Sequence, residues 1–227
     1  MPTERVTPGT TLPGGVRIPA QRTSDALPVA VERHRRHLGY GALKRGLDIL
    51  LGSVLLAFSV LVLLPVCAVI MIDSPGSPLY RQWRSGRDGR PFKILKLRTM
   101  VAGADRQGPA LTQDADPRIT RVGSALRRWS VDELPQLMNV LAGHMSLVGP
   151  RPELVSIVDT YTPQQKGVLS VRPGLTGWAQ VNGRDDLSIT EKLELELDYV
   201  TSCSTKRDLV ILARTLGVVL GGQGTKW

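Results

Sequence analysis

Apolar positions along most of the chain come in short runs, but from residue 49 to residue 72 they become continuous. These 24 residues carry no charge. As a helix they would extend about 36 Å, enough to cross a hydrocarbon core of ~30 Å. A buried helix of a soluble domain is shorter as a rule, so the run predicts a membrane segment. Pro65 interrupts it, because proline removes a backbone hydrogen bond and pushes Leu64 out of the helical region. Either a kinked span or a helix–break–helix hairpin that enters and leaves by one face accommodates that. Basic residues crowd both flanks, with Arg33, Arg35, Arg36, Lys44 and Arg45 before the run and Arg81, Arg84, Arg87, Arg90 and Lys93 after it. A span gathers its excess Lys and Arg on one side. The flanks therefore favour a re-entrant hairpin over residues 39–73, broken at Pro65.

The rest of the pattern is that of a small mixed domain. Residues 1–38 carry Pro2, Pro8, Pro13, Pro19 and Pro28 with no apolar period, which predicts a disordered basic arm. They also lack the apolar core of a signal peptide. After a turn cluster at 73–78, Gly86 and Gly89 predict a hairpin turn, and residues 92–98 alternate as a strand carrying Lys93, Lys96 and Arg98. Residues 103–115 read as a loop and 116–120 as a turn. Residues 124–129 read as a short amphipathic helix bearing Arg127 and Arg128. Ser130 and Glu133 have capping-box spacing, followed by Leu134, Leu137, Met138 and Leu141 as a buried face. Residues 153–169 predict a helix interrupted near Pro163, and 171–184 are too rich in Gly and Pro for regular structure. Leu193, Leu195, Leu197 and Tyr199 alternate as in a strand, yet Ser188 and Glu191 form a second capping box, which favours helix. Residues 208–220 form a mostly apolar helix suited to a membrane interface, and 221–227 a flexible tail. The expectation is an α+β, mostly helical domain over 74–220, seated on the membrane by the hairpin.

Charge narrows the partners. With 29 Lys and Arg against 20 Asp and Glu, the formal charge is +9. That suggests an anionic partner, be it nucleic acid, anionic lipid or a phosphorylated substrate, although composition alone fits a merely soluble basic protein equally well. Aromatics at 4%, without a helix-turn-helix or RNA-binding signature, speak against nucleic acid. Lys44, Arg45 and Asp48 open the apolar run, where cations meet lipid headgroups. Cys67 and Cys203 form no disulfide framework, and His34, His37 and His144 are not spaced as zinc ligands.

The candidate chemistry centres on the adjacent carboxylates Asp132 and Glu133. They could merely cap a helix and suit its dipole. Alternatively Asp132 acts on phosphorus, either as a nucleophile forming an acyl phosphate or as a ligand for Mg²⁺. Either chemistry on a diphosphate needs nearby cations, and Arg127, Arg128 and Arg151 lie within range along the chain.

Four blocks carry a resemblance. They are Gln82-x-Arg84-x-Gly86-x-x-Gly89-x-x-Phe92-x-x-x-Lys96-x-Arg98, then Asp132-Glu133 with Leu-Pro-Gln, then residues 145–152 ending in Gly-Pro-Arg-Pro, and lastly residues 171–184. In order and spacing they resemble the bacterial sugar transferases known as monotopic phosphoglycosyl transferases. The resemblance runs from about residue 44 to residue 220. It implies transfer of a sugar 1-phosphate from a UDP-sugar to polyprenyl (undecaprenyl) phosphate, with release of UMP. The reaction would take place at the cytoplasmic face of the bacterial inner membrane, in exopolysaccharide, capsule or other glycan assembly. It further implies Asp132 as nucleophile, Glu133 as its assistant, Mg²⁺ as cofactor and a re-entrant hairpin bent at the position of Pro65. On this basis Lys96, Arg98, Arg127, Arg151, Pro152, Arg172, Gly177, Arg184 and Glu196 are the expected substrate-binding positions. Direct attack by the lipid phosphate, with Asp132 only holding Mg²⁺, remains the mechanistic alternative. The chain departs from the family at His144, where an acid is usual, and it resembles the short form without additional transmembrane helices. Oligomeric state, a homo-oligomer included, is open.

Overall fold

The computed structural model describes residues 38–109, 112–113, 115–183 and 186–221. The expected disordered arm, Arg184 and the tail beyond Gly221 lie outside the described residues. The first element, α1 (Leu38–Asp73), is helical throughout and passes through Pro65 without the expected break. A proline costs an inner helix one hydrogen bond, which its flanks can carry as a bend. The helix is long and apolar enough to cross a membrane, and little of its apolar window is buried. Phe58, Leu61 and Leu64 stand about two-thirds or more exposed, a surface that only hydrocarbon would solvate well.

Both ends of α1 are fixed to the domain. Near its start, Lys44 Nζ donates to Asp208 Oδ2 at 2.8 Å, and Arg45 donates to the carbonyls of Val140 and Leu141 at 2.6 and 2.8 Å. The buried carboxylate of Asp48 accepts from Ser146 Oγ at 3.0 Å and from the Leu147 N–H at 2.9 Å. Near its end, Leu63, Val66, Cys67 and Ile70 pack with Leu97, Val122, Leu126 and Val131. The Arg98 guanidinium then closes the helix end by donating to the carbonyls of Ser74 and Pro75. Lys44, Arg45 and Asp48, expected at lipid headgroups, are thus engaged in holding α1 to the domain.

An antiparallel hairpin follows, β1 (Leu79–Ser85) against β2 (Pro91–Leu97), with Leu79 opposite Leu97 and Ser85 opposite Pro91. Gly89 turns it at φ 74°, as its sequence predicts. The β2 residues Phe92, Ile94 and Leu97 face the core. Asn139 clamps the strand by accepting from the Leu95 N–H at 3.0 Å and donating to the Lys93 carbonyl at 2.8 Å. Next come α2 (Arg121–Arg128), capped by the Thr120 hydroxyl, a 3₁₀ segment (Val131–Gln136) and α3 (Leu137–Leu141). Strands β3 (Ser146–Val148) and β4 (Gly174–Thr176) pair in parallel around the short helix α4 (Val155–Val158). The chain ends in α5 (Ile189–Ser202) and α6 (Thr205–Gly221). The main core joins Phe92, Ile94, Leu137, Val140, Met145 and Leu147 to Tyr199, Val200 and Ile211.

The mostly helical α+β class agrees with the sequence, and so does helix rather than strand at 189–202, whose Ser188–Glu191 capping box forms. Three expectations need correction. The Ser130–Glu133 capping box does not form: Ser130 is left-handed at φ 55°, its side chain makes no cap bond, and the next turn is 3₁₀. Met138 faces outward, because that tight turn rotates the apolar stripe. Residues 171–184 contain β4, whose glycines let it approach β3: a Cβ on Gly174 would stand 2.1 Å from the Gly149 nitrogen.

Asp48→Ala would leave two buried donors without an acceptor, and the fold should lose about 1–3 kcal/mol. Thermal unfolding in detergent measures it. Asp48→Asn should lose less, since its amide oxygen still accepts, and an unshifted Tm for the alanine variant would contradict this account.

Candidate active site

The acidic pair sits where α2, the 3₁₀ segment, β2 and the loop after β3 meet. The left-handed turn at Ser130 directs the chain inward, so Asp132 is only 7% exposed although it lies between two charged stretches. Its neighbour Glu133 is engaged: Oε1 accepts from Lys96 Nζ at 2.8 Å and from Arg151 Nη2 at 3.2 Å. Asp132 has no hydrogen bond or ion pair to a described residue, yet Lys96, Arg127 and Arg151 all act on its charge. Burial pushes its carboxyl up to about 6; the Lys96 ammonium pulls it back, and the Glu133 carboxylate raises it further.

Each cation is aimed by a separate element. Lys96 stands on β2. Arg127, at the end of α2, donates Nε to Thr99 Oγ1 at 2.8 Å and is itself shifted down, chiefly by burial. Arg151 follows β3, and its backbone N–H donates to the buried carboxyl of Glu196 at 2.9 Å. That carboxyl is pushed up to about 8, mainly by burial, although the Arg151 N–H opposes the shift. Glu196 therefore holds the Arg151 backbone largely as a neutral acid at pH 7. A small cleft lined by Gly86, Arg151, Tyr161, Val171 and Glu196 adjoins this loop.

Of the expected positions, the structure brings Lys96, Arg127, Arg151 and Glu196 to the acidic pair or to its supporting loop. Pro152 is buried beside them, and its carbonyl accepts from Arg84 at 3.2 Å. Three positions stand apart. Arg98 is engaged with the end of α1. Gly177 allows close approach of backbone to backbone: its Cβ would lie 2.2 Å from the Gly149 carbonyl oxygen. Arg172 donates Nε to the Gly143 carbonyl at 2.9 Å, and the charges acting on it are Arg45, Arg87 and Asp48.

Residue-by-residue reading passed over Arg84 and Thr99. Arg84 is held by Gln82 Oε1 at 2.6 Å and 3.1 Å, and its charge acts on Arg151 from behind. The spacing of Gln82 and Arg84, which puts both on one face of β1, was the available signal.

Comparison with known proteins identifies the family. Residues 39–222 match the bacterial sugar transferase family model, which covers most of the chain. A UDP-glucose:undecaprenyl-phosphate glucose-1-phosphate transferase of Caulobacter vibrioides is 44% identical over 185 residues, covering 78% of this chain and 69% of that protein. The sugar transferase EpsL of Bacillus subtilis is 41% identical, covering 80% of this chain and 89% of its own length. A transferase of Escherichia coli with the same name as the Caulobacter protein is 42% identical over 77% of this chain, but over only 39% of itself. The chain belongs to the bacterial sugar transferase family.

Glu196 offers a test of the loop. A carboxyl that titrates near 8 when folded, against 4.5 ordinarily, makes the folded state bind more protons between those values. Stability should therefore fall as pH rises through that window. Glu196→Gln keeps the acceptor without the charge and should flatten the decline in Tm between about pH 4.5 and pH 8. Parallel curves for the two proteins would exclude this protonation state.

Proposed function

We propose that the chain transfers a sugar 1-phosphate from a UDP-sugar to undecaprenyl phosphate, as the names of its relatives describe. The observation that carries the chemistry is Asp132: a buried carboxylate, unpaired with any described residue, under the charges of three cations. Asp132 attacks the phosphorus that bears the sugar, the bond to the bridging oxygen breaks, and UMP leaves with that oxygen. An oxygen of the lipid phosphate then attacks the same phosphorus, the acyl-phosphate bond breaks, and the carboxylate returns. No proton transfer is required of Asp132, so it must be ionised at the start of each cycle.

Lys96 and Arg151 hold Glu133 and together with Arg127 meet the charge that builds on the transferring phosphoryl oxygens. Among the described residues no three His, Cys, Asp or Glu side chains cluster as a metal cage. Mg²⁺ commonly binds through one or two carboxylates plus substrate phosphates, so the hard oxygens of Asp132, beside Glu133, fit that role. When bound, it would offset the negative charge of the diphosphate.

The attachment of both ends of α1 to one domain supports a re-entrant membrane segment bent at Pro65. Were α1 to cross the bilayer upright, polar domain surface would be carried into hydrocarbon. The domain then faces the cytoplasm, where UDP-sugars are made. Leu43→Cys and Ile72→Cys should both react with an impermeant thiol reagent from one side of sealed vesicles; reaction from opposite sides would establish a span instead.

The reaction is tested by UMP release with undecaprenyl phosphate, Mg²⁺ and a panel of UDP-sugars. Wild type should release UMP with at least one sugar, and the rate should fall as pH drops through about 6, where Asp132 takes up a proton. Asp132→Asn should lose release by orders of magnitude while its Tm at neutral pH rises, because the buried charge is gone. A phosphosugar adduct trapped on Asp132 would separate the two-step route from direct attack. Full activity in Asp132→Asn would overturn the proposal.

A further inference from the structure

Three guanidinium groups converge at the C-terminal end of α3, a region separate from the acidic pair. Arg45 reaches it from α1 and donates to the carbonyls of Val140 and Leu141 at 2.6 and 2.8 Å. Arg172 reaches it from the segment before β4 and donates Nε to the Gly143 carbonyl at 2.9 Å. Arg87, at the tip of the β1–β2 hairpin, completes the group. Burial first, then Arg45 and Arg87, push the Arg172 guanidinium below its ordinary value. Both Nη groups of Arg172 have no partner among the described residues. Asp48 is the carboxylate acting on Arg172, and its Oδ1 is already committed to Ser146 and Leu147. Arg87 has Asp88 at 3.5 Å, but both side chains are about half exposed, where such a pair counts for little.

Backbone carbonyls thus hold two of these cations in place while leaving donors unused. That distinguishes the cluster from a run of solvated, freely moving charges. Its location adds a second observation. Arg45 lies between the exposed Leu43 and, one turn on, the exposed Ile49 and Leu50, where the long apolar run of α1 begins. A ligand that couples a phosphate to an acyl chain meets both surfaces at once; a soluble nucleotide meets only the first. His144, exposed and stacked on Phe92 at 5.9 Å, adds no negative charge at this edge.

We propose that Arg45, Arg87 and Arg172 form a second anion site, at the base of α1, that binds the phosphate of a membrane phospholipid. The site is independent of the transfer reaction. It orients the protein on the bilayer by gripping a lipid that is not a substrate.

Native mass spectrometry of the full chain in detergent, with added phosphatidylglycerol, reads retained lipid directly. Wild type should keep a bound phosphatidylglycerol and should not keep diacylglycerol, which lacks the phosphate. Arg172→Gln should weaken retention about tenfold, roughly what a lost charge-assisted hydrogen bond contributes. Because Arg172 is partly buried and its loss can impair folding, Arg87→Gln and His144→Asp carry the same test from exposed positions. The first removes a cation and the second places a carboxylate beside the cluster, so both should lower retention, with Tm checked alongside. Undiminished retention in both exposed variants would overturn the site. Displacement of the lipid by inorganic phosphate as readily as by phosphatidylglycerol would overturn its assignment to a lipid.

Discussion

Two carboxylates on adjacent residues, one of them buried, repel each other and resist ionisation unless cations are brought to them. Here Lys96, Arg127 and Arg151 come from a strand, a helix and a loop. The fold can be understood as the means of delivering them. Asn139 clamps β2 so that Lys96 is placed, Thr99 steers Arg127, and the buried acid of Glu196 fixes the backbone at Arg151. Division of labour within the pair follows. Glu133 takes the direct ion pairs and Asp132 has none to a described residue, a division that suits the nucleophilic role proposed for Asp132.

The same economy of charge shapes the membrane helix. An apolar helix has no polar grip of its own, and α1 obtains one by placing Lys44, Arg45 and Asp48 at its start, all turned toward the domain. A linear reading shows the charge of these residues but not their direction, which for Lys44 and Asp48 is toward partners in the domain. Much of the rest of α1, outside the face packed on the domain, is apolar and exposed.

Much was legible in the sequence for physical reasons that can be stated. The length of the apolar run, the glycine turn of the hairpin and the Ser188–Glu191 cap depend on local chemistry, and each appears in the structure. The acidic pair was also legible, since its motif lies within a few residues. What failed were inferences in which a tertiary contact decides the outcome. Ser130 and Glu133 have capping-box spacing, but Lys96 and Arg151 draw the glutamate away and the turn goes left-handed instead. Arg98, Arg172 and Gly177 share blocks with the site residues, and the structure shows them at a helix end, a loop carbonyl and a backbone crossing, contacts that a linear reading does not reveal. Sequence blocks in this chain mark what is packed together as much as what touches substrate.

Lys96 lies on β2 and Arg98 one residue beyond its end, about 7 Å apart along extended backbone. The arginine fastens the end of α1 and the lysine fastens Glu133. The end of α1 and the acidic pair are therefore tied to one short stretch of backbone, which Asn139 clamps from the other side.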